Sequence, residues 1–184
     1  MDPFVAMEDG LKALTSRPFR LLHGDIHRGN LLRRDRETFF LDRQLSLWGD
    51  PVYDLADHVH KMGYTSDDEQ RCIRGWLSVT SEDCRRRWSN DLQFYIAYER
   101  VKSSVVDTVR WARRIAAEPT GSPARGKAVQ ELTAKINRAR PYWFQGRSGV
   151  LAADRVASAV TEFHEAQGKS VSRGLNSGPV QPRS

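Results

Sequence analysis

Residues 21–56 are the most constraining stretch of the chain: short apolar segments alternate with two loops rich in Gly, Asp, His and Asn. Phe19 to Leu22 is an apolar run that reads as a strand. Residues 23–30 then carry His23-Gly24-Asp25 and Asn30, a composition that forms a loop. Leu31–Leu32 and Thr38–Leu41 read as two further strands around a polar turn from Arg33 to Glu37. A second loop ends in Gly49-Asp50-Pro51. A polar loop gripped between apolar strands is held firmly, and firm placement is what a reacting group needs.

The flanking segments follow helical periodicity. Residues 4–15 place Phe4, Val5, Met7, Leu11 and Leu14 at helical spacing, and Pro18 ends that helix. Tyr53 to Met62 is expected to be a helix, and Asp67 to Val79 another with Ser66 as its cap. Ser81 opens a helical region to about Ala117. In it Tyr98, Val101, Val105, Val109 and Ala112 predict one continuous buried stripe. Glu118 to Gly126 contains two prolines and two glycines and reads as a loop. Helices are expected near 127–140 and 150–166. The tail 167–184 is Gly, Ser, Pro and Arg with little to bury, and is expected to be disordered. These elements make an α+β chain, mostly helical, with one domain over residues 1–166.

Phosphoryl transfer to a hydroxyl asks a protein for position and charge neutralisation more than for covalent chemistry. A carboxylate must meet the hydroxyl, and hard oxygens must hold magnesium against the phosphates. Asp25 and Asn30 stand at the kinase catalytic-loop spacing, an Asn five residues after the Asp of a His-x-Asp. Asp42, twelve residues beyond Asn30, closes the apolar run FFL where a second magnesium ligand belongs. Each residue alone reads more simply: Asp25 as a turn or cap, Asn30 as a turn residue, Asp42 as a strand end. The order and spacing of all three give the signal.

His23-Gly24-Asp25 with Asn30, then Leu41-Asp42, then Gly49-Asp50-Pro51 with Asp54-Leu55-Ala56, resembles the signature of the aminoglycoside phosphotransferase and choline kinase family, which has a protein-kinase-like fold. The resemblance implies a kinase of a small hydroxylated molecule, with ATP as co-substrate and Mg2+ as cofactor. It implies Asp25 as catalytic base, His23 as the histidine buttressing the loop, and Asn30 and Asp42 as the ligands of the metal and its nucleotide. Asp50 and Asp54 are implied to be structural, capping or tying the loop to the following helix. Arg43 and Gln44 depart from the family pattern, which commonly has an aromatic residue and an acid there.

Twenty-two residues precede His23. The family spends far more there, on an N-terminal lobe with a phosphate-covering loop and a strand lysine. The expectation is therefore a C-terminal catalytic lobe with the N-terminal ATP-binding lobe absent: a truncated kinase, a gene fragment or a clipped reading frame. A non-catalytic pseudokinase or small-molecule binding module is the alternative. The acceptor is expected among the helices from Tyr53 to Phe163, with Tyr95, Tyr98, Glu99 and Asp107 as candidate lining residues.

Charge bounds the partners. Residues 1–80 hold 11 Lys/Arg against 13 Asp/Glu, whereas residues 81–184 hold 18 against 10. The basic half motivates a further alternative, a nucleic-acid-binding protein, but no nucleic-acid motif accompanies it and Arg residues alternate with apolar ones as on an ordinary helix surface. The basic half also disfavours a polycationic acceptor. No apolar run reaches membrane-span length, and Met1 to Gly10 has acidic but no basic residues, so neither a signal nor a transit peptide is read. With two cysteines twelve apart and no zinc spacing, a cytoplasmic location is expected.

Overall fold

The computed structural model describes residue 2, residues 4–143 and residues 149–175, with side chains described as far as residue 166. A 3-10 turn, Val5–Met7, leads into α1 (Glu8–Lys12). The strands β1 (Arg20–Leu22), β2 (Leu31–Arg34), β3 (Glu37–Phe40) and β4 (Leu47–Gly49) follow. The helices are α2 (Pro51–Met62), α3 (Ser66–Val79), α4 (Glu82–Arg85), α5 (Trp88–Ala117), α6 (Pro123–Trp143) and α7 (Ala153–Leu175). Among the described residues no helix is long and apolar enough to cross a membrane.

The strands form two antiparallel ribbons nested in sequence. β1 pairs with β4, setting Leu21 opposite Trp48 and Leu22 opposite Leu47. Between them, β2 and β3 form a hairpin with Leu31 opposite Phe40 and Arg34 opposite Glu37. Asp35 takes the left-handed conformation, φ 54°, that so tight a turn demands. The outer ribbon thus brackets both loops singled out by the sequence.

Helix α2 is built to be fixed in place. Asp50 caps it, its Oδ1 accepting the Val52 amide at 3.0 Å. Pro51 fills the first turn, and Gly63 ends the helix at φ 58°. Val52, Leu55, Ala56 and Val59, spaced at three and four, pack against Leu92, Tyr95 and Ile96 of α5, with Cys72, Ile73 and Trp76 of α3 alongside.

The chain forms two compact units. The first comprises residues 1–102 with 142–145, the second residues 103–141 with 146–184. The second unit has its own core of Ile115, Ala128, Val129, Leu132, Val156 and Val160. There Asn137 and Leu151 exchange a reciprocal pair of hydrogen bonds, at 2.9 and 2.8 Å.

Several local expectations are corrected. Thr65, not Ser66, caps α3, its hydroxyl accepting the Asp68 amide. The helical region after Ser81 is two helices, broken at Arg86–Arg87, where Arg87 has φ 47°. The predicted stripe on α5 is interrupted, because Val109 is 55% exposed. Polar residues Glu99, Ser104 and Asp107 take buried places on α5 instead. α6 starts at Pro123, inside the predicted loop, since proline suits a first helical turn. α7 continues past residue 166 to Leu175; residues 176–184 of the expected disordered tail lie outside the described residues.

Candidate active site

Helix α2 braces the loop at 23–26 with one face. Asp54, His58 and Lys61, at i, i+4 and i+7, reach the loop in turn. The Asp54 carboxylate accepts the His23 amide at 2.8 Å and the Gly24 amide at 2.9 Å, one on each oxygen. The His58 ring bonds the Ile26 carbonyl through Nδ1 at 3.1 Å and the Tyr64 hydroxyl through Nε2 at 2.8 Å. A carbonyl only accepts, so Nδ1 carries the ring proton and Nε2 accepts from Tyr64. Lys61 Nζ donates to Asp25 Oδ1 at 2.5 Å.

Gly24 explains the middle letter of the His-Gly-Asp motif. Its φ is +75°, and a Cβ there would lie 2.5 Å from the Leu45 carbonyl oxygen. Backbone cannot yield as a side chain can, so the position admits glycine alone.

The structure brings Asp25 and Asn30 together. The Asn30 side-chain amide donates to the Asp25 backbone carbonyl at 3.0 Å and to Asp25 Oδ2 at 3.1 Å. That commits the amide nitrogen and leaves the amide oxygen for another partner. His27 caps the short turn Arg28–Asn30, its Nδ1 accepting the Gly29 amide at 3.0 Å. Its Nε2 lies 3.6 Å from Asp25 Oδ2. Burial alone would raise the Asp25 pKa. The Lys61 ammonium, with His27 and the Asn30 amide, outweighs it and holds the carboxyl below its ordinary value. Asp25 is therefore ionised at neutral pH, and two carboxylate oxygens keep lone pairs for a hydroxyl.

Asp42 is placed through its neighbour Leu41. The Leu41 amide donates to the Asn30 carbonyl at 2.8 Å. The Leu41 carbonyl accepts from His23 Nε2 at 2.9 Å. Since that carbonyl only accepts, His23 is the Nε2–H tautomer. One residue thus ties the chain before Asp42 to both ends of the catalytic-type loop. Asp42 follows with φ 55° and an exposed side chain, its Oδ1 accepting the Gln44 amide at 3.5 Å. The His23 ring thus bonds backbone.

Asp50 has a second task beyond its cap. Its Oδ2 accepts from Arg17 Nη1 at 2.5 Å and from the Tyr95 hydroxyl at 3.1 Å. The fully buried Arg17 side chain also pairs with Asp91 and donates to the Arg86 carbonyl at 2.6 Å. Burial and then the Asp50 charge push the Tyr95 hydroxyl pKa up. Tyr95 is thus a structural donor. Tyr98 packs on Phe4 and Phe94. Glu99 is fully buried and pairs with Lys102 at 2.6 Å. Asp107 belongs to the second unit, where Lys135 meets it at 2.7 Å.

Sequence reading missed Arg17, His58 and Lys61. The spacing Asp54-His58-Lys61 on a predicted helix was the available signal for the last two. For Arg17 there was none, because its partners lie 33 and 74 residues away.

Magnesium chemistry fits the donor set. Asn30 offers an amide oxygen and Asp42 an exposed carboxylate, both hard ligands. Among the described residues no three His, Cys, Asp or Glu side chains form a metal cage. Magnesium asks for no such cage, because it keeps waters and takes phosphate oxygens beside one or two protein ligands.

Residues 4–89, which include Asp25, Asn30, Asp42, Asp54 and Lys61, match the model of the phosphotransferase enzyme family. The segment is similar to that family over those residues. A methylthioribose kinase of Escherichia coli O45:K1 (strain S88 / ExPEC) is 26% identical over 106 residues, covering 48% of this chain and 25% of the relative. A choline/ethanolamine kinase family protein from Mesorhizobium loti shares the fold with a TM-score of 0.54 at 16% identity. That match covers 85% of this chain and 48% of the neighbour. The chain thus spans about a quarter of one relative and about half of the other.

Proposed function

We propose that this chain is a phosphotransferase of a small hydroxylated molecule, using ATP and magnesium. One observation carries the reading: Asn30 is bonded to the Asp25 carboxylate and, through the Leu41 amide, to the residue before Asp42. The proposed base and the proposed metal ligands thereby share one backbone frame. In this reading Asp25 accepts a hydrogen bond from the acceptor hydroxyl and orients it for attack. Asn30 and Asp42 hold magnesium, which neutralises and orients the phosphates when bound. His23, Asp50 and Asp54 position the loop, and residues 1–166 correspond to the catalytic C-terminal lobe of a protein-kinase-like fold.

Calorimetric titration of Mg-ATP into the full chain tests this, with Asp42→Ala as the control. The expected result is magnesium-dependent binding that the substitution removes. No magnesium-dependent binding at millimolar nucleotide would count against the chain acting as a kinase.

A further inference from the structure

Two carboxylates of the first unit, Asp57 and Glu99, are fully buried, and each is met by a lysine of its own helix. Lys61 Nζ lies 2.7 Å from Asp57 Oδ1, one turn along α2. Lys102 Nζ lies 2.6 Å from Glu99 Oε1 and donates to the Tyr53 hydroxyl at 2.7 Å. Lys61 does more than neutralise its buried partner. The same ammonium is 2.5 Å from Asp25 Oδ1, so it bridges the buried acid and the carboxylate assigned to meet the acceptor hydroxyl.

That bridge constrains what can dock at Asp25. The carboxylate presents one negative charge, already shared with an internal ammonium, and His27 Nε2 stands 3.6 Å from its other oxygen. Asp57 offsets part of that ammonium's charge from inside the protein, but Lys61 Nζ still occupies Asp25 Oδ1, so an acceptor's own ammonium beside the reacting hydroxyl would meet a like charge at close range. Lys61 cannot withdraw freely, since departure would strand the Asp57 carboxylate in the interior. A hydroxyl with no neighbouring positive charge meets neither obstacle.

We propose that Lys61 is a specificity-determining residue, its ammonium filling the cation position beside Asp25 so that the chain favours acceptors without an ammonium group next to the hydroxyl and rejects amino alcohols. The inference rests on the phosphotransferase reading in taking Asp25 as the docking point of the hydroxyl.

The experiment is an NMR titration of the full 184-residue chain, without nucleotide, using ethanolamine at neutral pH as the cationic probe and glycerol as the neutral one. Wild type, Lys61→Arg and Lys61→Met are compared, with Asp57→Asn/Lys61→Met as the second variant because it leaves no orphaned buried charge. The expected result is at least tenfold tighter ethanolamine binding once Lys61 is replaced by Met in either background. Lys61→Arg should match wild type, and glycerol binding should stay within twofold throughout. Equal ethanolamine affinity in wild type and the folded Met variants, including no binding by any of them, overturns the proposal. Nucleotide is absent from this titration, so a failure of Mg-ATP binding would strike the phosphotransferase reading separately.

Discussion

Asp54 holds His23 by its backbone: the carboxylate accepts the His23 amide at 2.8 Å and the next amide, of Gly24, at 2.9 Å. The catalytic-type loop therefore takes its position from the first turn of α2, and α2 takes its own from Asp50. Removing the Asp54 carboxylate orphans two amides. Asp54→Ala should cost about 1–3 kcal/mol in urea unfolding. Asp54→Asn keeps one acceptor and turns an NH2 toward the other amide, so it should fall between wild type and alanine. Hydrogen exchange at His23 and Gly24 should quicken in the same order.

Arg17 is the larger lever. Its guanidinium meets Asp50 and Asp91 and the Arg86 carbonyl from a fully buried side chain. Arg17→Met leaves both acids without their cation, and loss of one partner from a buried ionic group costs about 3–5 kcal/mol. Arg17→Lys should recover little, because one ammonium cannot reproduce a fork serving three acceptors. Urea midpoints of the three proteins check both statements.

Asp57 gives stability a pH dependence of unusual sign for a carboxylate. Burial, helped by the nearby Glu99 charge and opposed by Lys61 and Lys102, raises its pKa to about 6 from 3.8. A raised folded value means that the native state binds the proton more tightly than the unfolded chain does. The resulting stabilisation is fully present below pH 3.8 and is lost as pH rises through about 6. The difference between those two values corresponds to roughly 3 kcal/mol at most. Asp25, with its lowered pKa, acts in the opposite direction. The Asp57 contribution is therefore read as a difference: wild type minus Asp57→Asn stability should fall between pH 4 and pH 7.

The exposed faces of the ribbons invite another measurement. Leu21 and Trp48 are register partners, 65% and 66% exposed, with Phe19 and Leu45 also open. Since neither side chain is buried, Leu21→Ser with Trp48→Ser should change unfolding free energy by no more than about 0.5 kcal/mol. Binding of a hydrophobic dye should drop in the same variant, because a contiguous apolar patch is lost.

What could be read from sequence follows from which interactions are local. The helices at 53–62 and 67–79 and the strands around Asp25 declared themselves through periodicity and turn residues. Asp25 and Asn30 could be expected to meet because one short loop holds both. Helical periodicity gives no information on how helices group, so the two compact units, the second with its core around Ile115 and Leu132, were not legible. The stripe on α5 failed for a related reason, since Glu99 and Asp107 are buried by virtue of lysines that pair with them. Arg17 escaped because an isolated arginine before a proline carries no local sign of two acids far along the chain.

Gly24 supplies the sharpest test of the loop itself. At φ +75° an L side chain is strained by about 1–2 kcal/mol from the backbone alone. An added methyl would also sit 2.5 Å from the Leu45 carbonyl oxygen, a contact relieved only if the loop or the 43–46 segment shifts. That shift would pull on the Gly24 amide, which Asp54 holds, and on the adjoining Asp25, which Lys61 and Asn30 hold. Gly24→Ala should therefore destabilise by more than the backbone strain, and should weaken magnesium-dependent nucleotide binding although residue 24 has no side chain to touch a ligand. Gly63→Ala is the matched control, with φ +58° but open space around a Cβ. It should show the strain cost in urea unfolding and leave nucleotide binding unchanged.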